Sequence, residues 1–227
     1  MTSDTDSRFD FPARAADART PVLDDAIHLW VHDTGIRQPR AVRAAARAAL
    51  ERLLRHYAGD VALGIGIETD RHGKPFAPAL PELDFNLSHA GSHVVFAFAR
   101  NQTLGVDIEE YARELAVEGI AGRFFSAVES AALARMAPAG RTAAFLRLWT
   151  HKEAVLKALG EGLSFGLDRV EFELDADGQA GPMRRIASVA GQPDEWQVRR
   201  FAPAEGVTGS IAWRGPPRAV QLFRLSP

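Results

Sequence analysis

"HVVFAFARNQTLGVDIEE", residues 93–110, decides the fold. Residues 93–100 and 103–109 each read as a strand rich in Val, Ile and Phe, joined at Asn101-Gln102 by a turn. Residues two apart in a strand share a face, so Asp107 and Glu109 stand side by side inside an apolar run. Two negative charges that close repel unless water, a cation or a proton separates them. The segment therefore predicts a strand that presents paired carboxylates to something positive.

Upstream, Val42, Ala46, Ala49, Leu50, Leu53 and Leu54 recur at helical spacing behind Pro39, which predicts a helix over 39–57. Arg40, Arg43 and Arg47 share one face of it, either a solvated surface or an anion-facing stripe. Residues 61–68 look like a strand, and 70–75 like a turn into a Pro-rich loop. Downstream, Ser126-x-x-Glu129 has the form of a capping box opening a short helix. A longer helix is expected over 142–159, stopped by Gly160. Strand-like runs follow at 170–174, 196–201, 209–213 and 219–223. Helices and strands are mixed in both halves, which is an α+β pattern. A polar tail over 1–24, one half over 25–110 and another over 111–227 is the expected organisation.

A formal charge of −2 over 227 residues argues against wholesale binding of nucleic acid or membrane, though not against a local basic patch. With no cysteine there is no disulfide, thiolate metal site or thiol nucleophile, and a cytoplasmic location is the expectation. No apolar run approaches the ~20 residues of a membrane span, and the opening residues do not read as a secretory signal. Of 27 Lys and Arg residues, only Lys74, Lys152 and Lys157 are lysine. Where a sequence otherwise writes arginine, a lysine marks a place for a compact ammonium instead of a planar fork, with chance the plain alternative.

All three lysines fall in motifs. "WTHKEAVLKALGEGLS", 149–164, puts Trp149, Glu153 and Lys157 on one helix face. Viewed alone, such a Glu–Lys pair is an ordinary surface contact worth about 0.2–0.5 kcal/mol. "HGKP", 72–75, supplies Lys74 and Pro75, and "FNLSHA", 85–90, sets Asn86, Ser88 and His89 together as a polar cluster. Ser88 beside His89 does not read as a hydrolase pair. Neighbours in an extended segment point opposite ways, and no G-x-S-x-G elbow surrounds the serine.

In order, "GKP", "FNLSH", "LGVDIE", "RFFSAVE" and "WTHKEAVLKALGEGLS" resemble the blocks of the 4′-phosphopantetheinyl transferases, the longer Sfp-type class. The resemblance runs from about residue 40 to 165 and has nothing diagnostic beyond about 175. It implies a pseudo-dimer of two similar α+β halves, each a small antiparallel sheet packed on helices, with coenzyme A in the cleft between them. The implied reaction moves phosphopantetheine from coenzyme A to a serine of an apo acyl or peptidyl carrier protein, releasing adenosine 3′,5′-bisphosphate. Mg²⁺, or Mn²⁺, would be held by Asp107, Glu109 and Glu153, with Glu153 and Lys157 catalytic. Coenzyme A would meet Lys74, Pro75, Ser88, His89, Asp107, Lys157, Arg40 and Arg43. A monomer is expected. Two other classes fit less well. A non-catalytic nucleotide-binding module would not need Asp107, Glu109, Glu153 and Lys157 together, and a Mg²⁺-dependent phosphohydrolase would release nucleotide without any acceptor.

Overall fold

The computed structural model describes residues 13–15, 22–59, 65–112 and 115–225. Its elements lie in four layers. Helix α1, Pro39–Ala58, begins on its proline, whose missing N–H would have had no helical partner there. Its buried stripe, including Val42, Leu50 and Leu54, packs on Trp30, Phe96 and Phe98 of the first sheet. That sheet has five strands in the order β1 (Ala13–Ala15), β12 (Val220–Arg224), β2 (Ile27–Asp33), β6 (His93–Arg100), β5 (Leu83–Ala90). Its other face buries Leu29, Val95 and Ala97 against Val106, Ile108 and Ile211 of a second sheet. The second sheet is antiparallel, in the order β10 (Trp196–Phe201), β11 (Val207–Arg214), β7 (Leu104–Glu110). Its far face meets α4, Pro138–Leu159, whose C-terminus is closed by Gly160 in the left-handed conformation. Around α4 cluster α2 (Val117–Phe124), α3 (Ala127–Arg135) and the hairpin of β8 (Val170–Leu174) with β9 (Ala180–Ile186). A small ribbon, β3 (Glu68–Thr69) with β4 (Pro75–Phe76), frames the turn that carries Lys74.

Several expectations are met and several corrected. The capping box of Ser126 and Glu129 is present in both directions. Strands occur at 93–100 and 104–110, yet they do not pair with each other: the chain changes sheets at Asn101-Gln102. Asn101 has φ 49°, the one positive φ outside glycine among the described residues, in keeping with asparagine's tolerance of that region. The first sheet is not purely antiparallel, because β12 runs parallel to both β2 and β1. Strand pairing also crosses residue 110 in both directions, since β7 joins β11 and β12 joins β2. Half of the strand read over 61–68, residues 61–64, lies outside the described residues; 65–67 are irregular, and Glu68–Thr69 is strand. Most of the tail read over 1–24 is likewise outside them, while Ala13–Ala15 pairs with β12. Among the described residues no helix is long and apolar enough to cross a membrane.

Candidate functional site

The site begins with a glycine. A Cβ on Gly105 would lie 2.2 Å from the Ala154 carbonyl oxygen and 2.4 Å from the Ala158 nitrogen, so only glycine lets β7 approach the α4 backbone this closely. Alternation along β7 then turns Val106 and Ile108 toward the first sheet and Asp107 toward α4. Lys157, near the end of α4, donates to Asp107 Oδ1 at 2.7 Å and to the Val106 carbonyl at 3.0 Å. Ser88 on β5 donates to the same Oδ1 at 2.9 Å. The other oxygen of Asp107, Oδ2, is buried without a hydrogen-bond partner.

One turn before Lys157, Glu153 is pushed up to about 7. Burial is the main cause, Asp107 and Glu109 add repulsion, and Lys157 pulls the other way without winning. Lys157 therefore does not by itself keep Glu153 ionised. Asp107 and Glu109 on β7 lie near enough to Glu153 on α4 to repel its charge, and the Lys157 ammonium sits on Asp107. Among the described residues no three acidic or histidine side chains are gathered into a coordination shell. The donor set nevertheless suits a hard divalent cation: it is all oxygen, it carries mutual repulsion that a cation would relieve, and Asp107 Oδ2 lacks a partner.

Beside these groups opens a cleft of about 390 Å³ lined by His72, Lys74, Pro75, Asn86, Glu153 and Lys157, with Gly160 and Gly162 at its rim. A neighbouring hollow of about 500 Å³ shares Lys74 and Pro75 and is also lined by Phe76, Ala77, Asp84 and Gln102. The turn bearing Lys74 is set by Asp70, whose Oδ1 accepts from the backbone N–H groups of His72 and Lys74, both at 2.9 Å. Lys74 itself is spoken for: its ammonium lies 3.2 Å from Asp84 Oδ1 and donates to the Leu104 carbonyl at 3.1 Å. His89 is exposed, and its pKa is lowered first by partial burial, then by Arg43 and Lys157. That places Arg43 beside the site. Arg47 instead pairs with Glu51 at 2.8 Å, and Arg40 lies exposed at the start of α1.

Two networks on α4 escaped the sequence. Lys152 is fully buried and contacts Glu129 at 2.7 Å, also fully buried, while donating to the carbonyls of Leu167 (3.0 Å) and Val170. Three donors meet three acceptors, and the Phe125 ring lies 4.7 Å away. The carboxylate of Glu129 is equally filled, accepting from the backbone of Ser126 and Phe172. The visible signal was the lysine bias joined to the capping-box glutamate. Thr150, Ser210 and His151 form a second chain, with Ser210 Oγ 2.9 Å from Thr150 Oγ1 and 2.8 Å from His151 Nδ1. Burial holds His151 neutral, at about 4. No sequence spacing links Ser210 to residue 151, so this pair could not have been foreseen.

Residues 103–202 match the family model of the 4′-phosphopantetheinyl transferase superfamily. The Sfp transferase of Bacillus subtilis is 41% identical over 115 residues, 51% of this chain and 50% of that protein. The psf-1 transferase of Bacillus pumilus is 43% identical over 114 residues, 50% of this chain and 47% of its own length. The HetI transferase of a Nostoc species is 32% identical over 174 residues, 75% of this chain and 70% of HetI. This chain belongs to the 4′-phosphopantetheinyl transferase superfamily. Its relatives of the Sfp type are matched over about half their length. Within this superfamily member, the geometry gathers Asp107, Lys157, Glu153, Ser88 and His89, with Lys74 and Pro75 lining the adjoining cleft.

Proposed function

We propose that this protein transfers the phosphopantetheine arm of coenzyme A to a serine of an apo acyl or peptidyl carrier protein. The observation that carries this reading is the Asp107–Lys157 contact with Glu153 beside it, at the edge of the cleft. Coenzyme A is a diphosphate ester with a further 3′-phosphate, so its site needs cations for phosphates and room for an adenosine. Lys157 supplies one cation, and Ser88, His89 and Arg43 border the region where the 3′-phosphate would lie. Lys74 and Pro75 edge the hollow for the nucleotide.

The acceptor serine oxygen attacks the phosphorus that bears the pantetheine arm. A new P–O bond forms, the bond to the adenosine-side phosphate breaks, and adenosine 3′,5′-bisphosphate departs. The serine proton passes to the carboxylate of Glu153, which lines the cleft. Lys157 stabilises charge on the diphosphate. Asp107, Glu109 and Glu153 would hold Mg²⁺ or Mn²⁺, which supplies charge neutralisation and alignment of the diphosphate when bound. We also read the two sheets as belonging to related halves near 25–110 and 111–227, exchanging β7 and β12, with the protein acting as a cytoplasmic monomer.

Mixing the protein with coenzyme A, Mg²⁺ and a small panel of apo carrier proteins, then weighing each carrier, tests the proposal. One phosphopantetheine added to at least one carrier is the expected result. Unchanged carriers with nucleotide released in their absence would make the protein a phosphohydrolase instead.

A further inference from the structure

β7 is an edge strand: β11 pairs with one side, and its other side faces β5, itself the edge of the first sheet. No backbone ladder joins β5 to β7. Residues 104, 106 and 108 turn their backbone polar groups toward this seam, where they cannot stay unpaired at little cost. Side chains close it. Going along the strand, the Leu104 carbonyl accepts from Lys74, and the Val106 N–H donates to Asn86 Oδ1 at 2.9 Å. The Val106 carbonyl then accepts from Lys157, and the Ile108 N–H donates to Ser88 Oγ at 3.3 Å. Asn86 and Ser88 are two apart on β5, as Val106 and Ile108 are on β7, so the side chains form a ladder in register.

We propose that Asn86 is a positioning residue: by holding the Val106 N–H, it fixes the strand that carries Asp107 and Glu109 against Lys157 and Glu153. Asn86 is 5% exposed, and its oxygen faces the backbone two atoms from the Val106–Asp107 peptide. The neighbouring groups are otherwise engaged: Lys74 and Lys157 have only donors to offer, Asp84 serves Lys74 and Leu104, and Ser88 serves Ile108. Lys74 shares the task at the Leu104 carbonyl, where its contact with Asp84 anchors it. The inference rests on the proposed transfer for its kinetic consequence, but the structural part does not.

The experiment has two arms. In the first, amide hydrogen exchange of the wild-type protein should show Val106 protected, despite its place on an unladdered edge, and Asn86→Leu should expose it while Ile108 stays protected. In the second, Asn86→Leu should lower kcat for transfer about 100-fold, the scale of a small misplacement of reacting groups, with the KM for coenzyme A held within about twofold. Asn86→Asp, which keeps an acceptor at Oδ1, should recover much of kcat and the Val106 protection. A Val106 amide that exchanges freely in the wild type overturns the proposal, whether or not the variant folds. So does a folded Asn86→Leu with wild-type kcat, or one whose kcat falls while Val106 stays protected. If the wild type transfers nothing, the proposed function falls, and the exchange arm alone decides the role of Asn86.

Discussion

Lys152 and Lys157 sit five residues apart on one helix, and each touches a carboxylate at 2.7 Å. They are nonetheless opposite kinds of ion pair. The side chains of Lys152 and Glu129 are both 0% exposed, and every donor and acceptor on them is occupied. Lys157 is 27% exposed, Asp107 keeps one oxygen without a partner, and a neighbouring carboxyl is driven toward its protonated form. A saturated pair has nothing left to offer a ligand, so it can only brace the fold. An unsaturated one, beside a cleft, is held short of its best arrangement and can respond to a phosphate or a cation.

Breaking the sealed pair should have the largest effect. Lys152→Met leaves Glu129 charged and buried, and should cost about 3–5 kcal/mol in urea unfolding, whereas Lys157→Met should cost clearly less, because Lys157 is partly exposed and Asp107 keeps Ser88 as a donor. Combining Lys152→Met with Glu129→Gln should recover much of the loss, because no lone charge then remains inside. Similar losses for Lys152→Met and Lys157→Met would erase the distinction drawn here. On the open pair, Glu153→Gln should reduce transfer about 10²–10⁴-fold without destabilising the fold, since the amide replaces a buried, repelled carboxylate. Transfer at the wild-type rate would remove Glu153 from the chemistry.

Gly105 links the two regions, since it sets how closely β7 approaches α4. Gly105→Ala should destabilise by about 1–3 kcal/mol and depress transfer together, because its methyl meets backbone that cannot rotate away. A stable and active alanine variant would mean the two elements can separate without consequence.

A further effect is one of pH. Glu153 titrates near 7 in the folded protein and at 4.5 ordinarily, so between those values the native state holds a proton that the unfolded chain has released. Its contribution to stability is therefore fully present below about 4.5 and fades as pH rises through about 7. With divalent ions chelated, wild-type stability minus that of Glu153→Gln should fall across this window. A flat difference would show that the carboxyl is not perturbed.

Much of this was legible beforehand, and what was missed has physical reasons. The carboxylate strand, the Ser126–Glu129 cap and the end of α4 at Gly160 follow from local rules of spacing and capping. β2 was not, because its alternation is hidden: Ile27 through His32 are all buried, one face on α1 and the other on the second sheet. β5 looked like a polar cluster because Asn86 and Ser88 serve the backbone of β7, a duty that no sequence period announces. Lys74 lines the cleft, and its ammonium is also tied to Asp84 and Leu104, since a lysine near a ligand motif does not reveal which acceptor it has found.

Titrating Mg²⁺ by calorimetry into the protein loaded with coenzyme A, for wild type, Asp107→Ala and Glu153→Gln, addresses the site most directly. Saturable binding by the wild type that both variants lose or sharply weaken is the expected result. Equal binding by all three would place the ion, and with it the diphosphate, somewhere other than between β7 and α4.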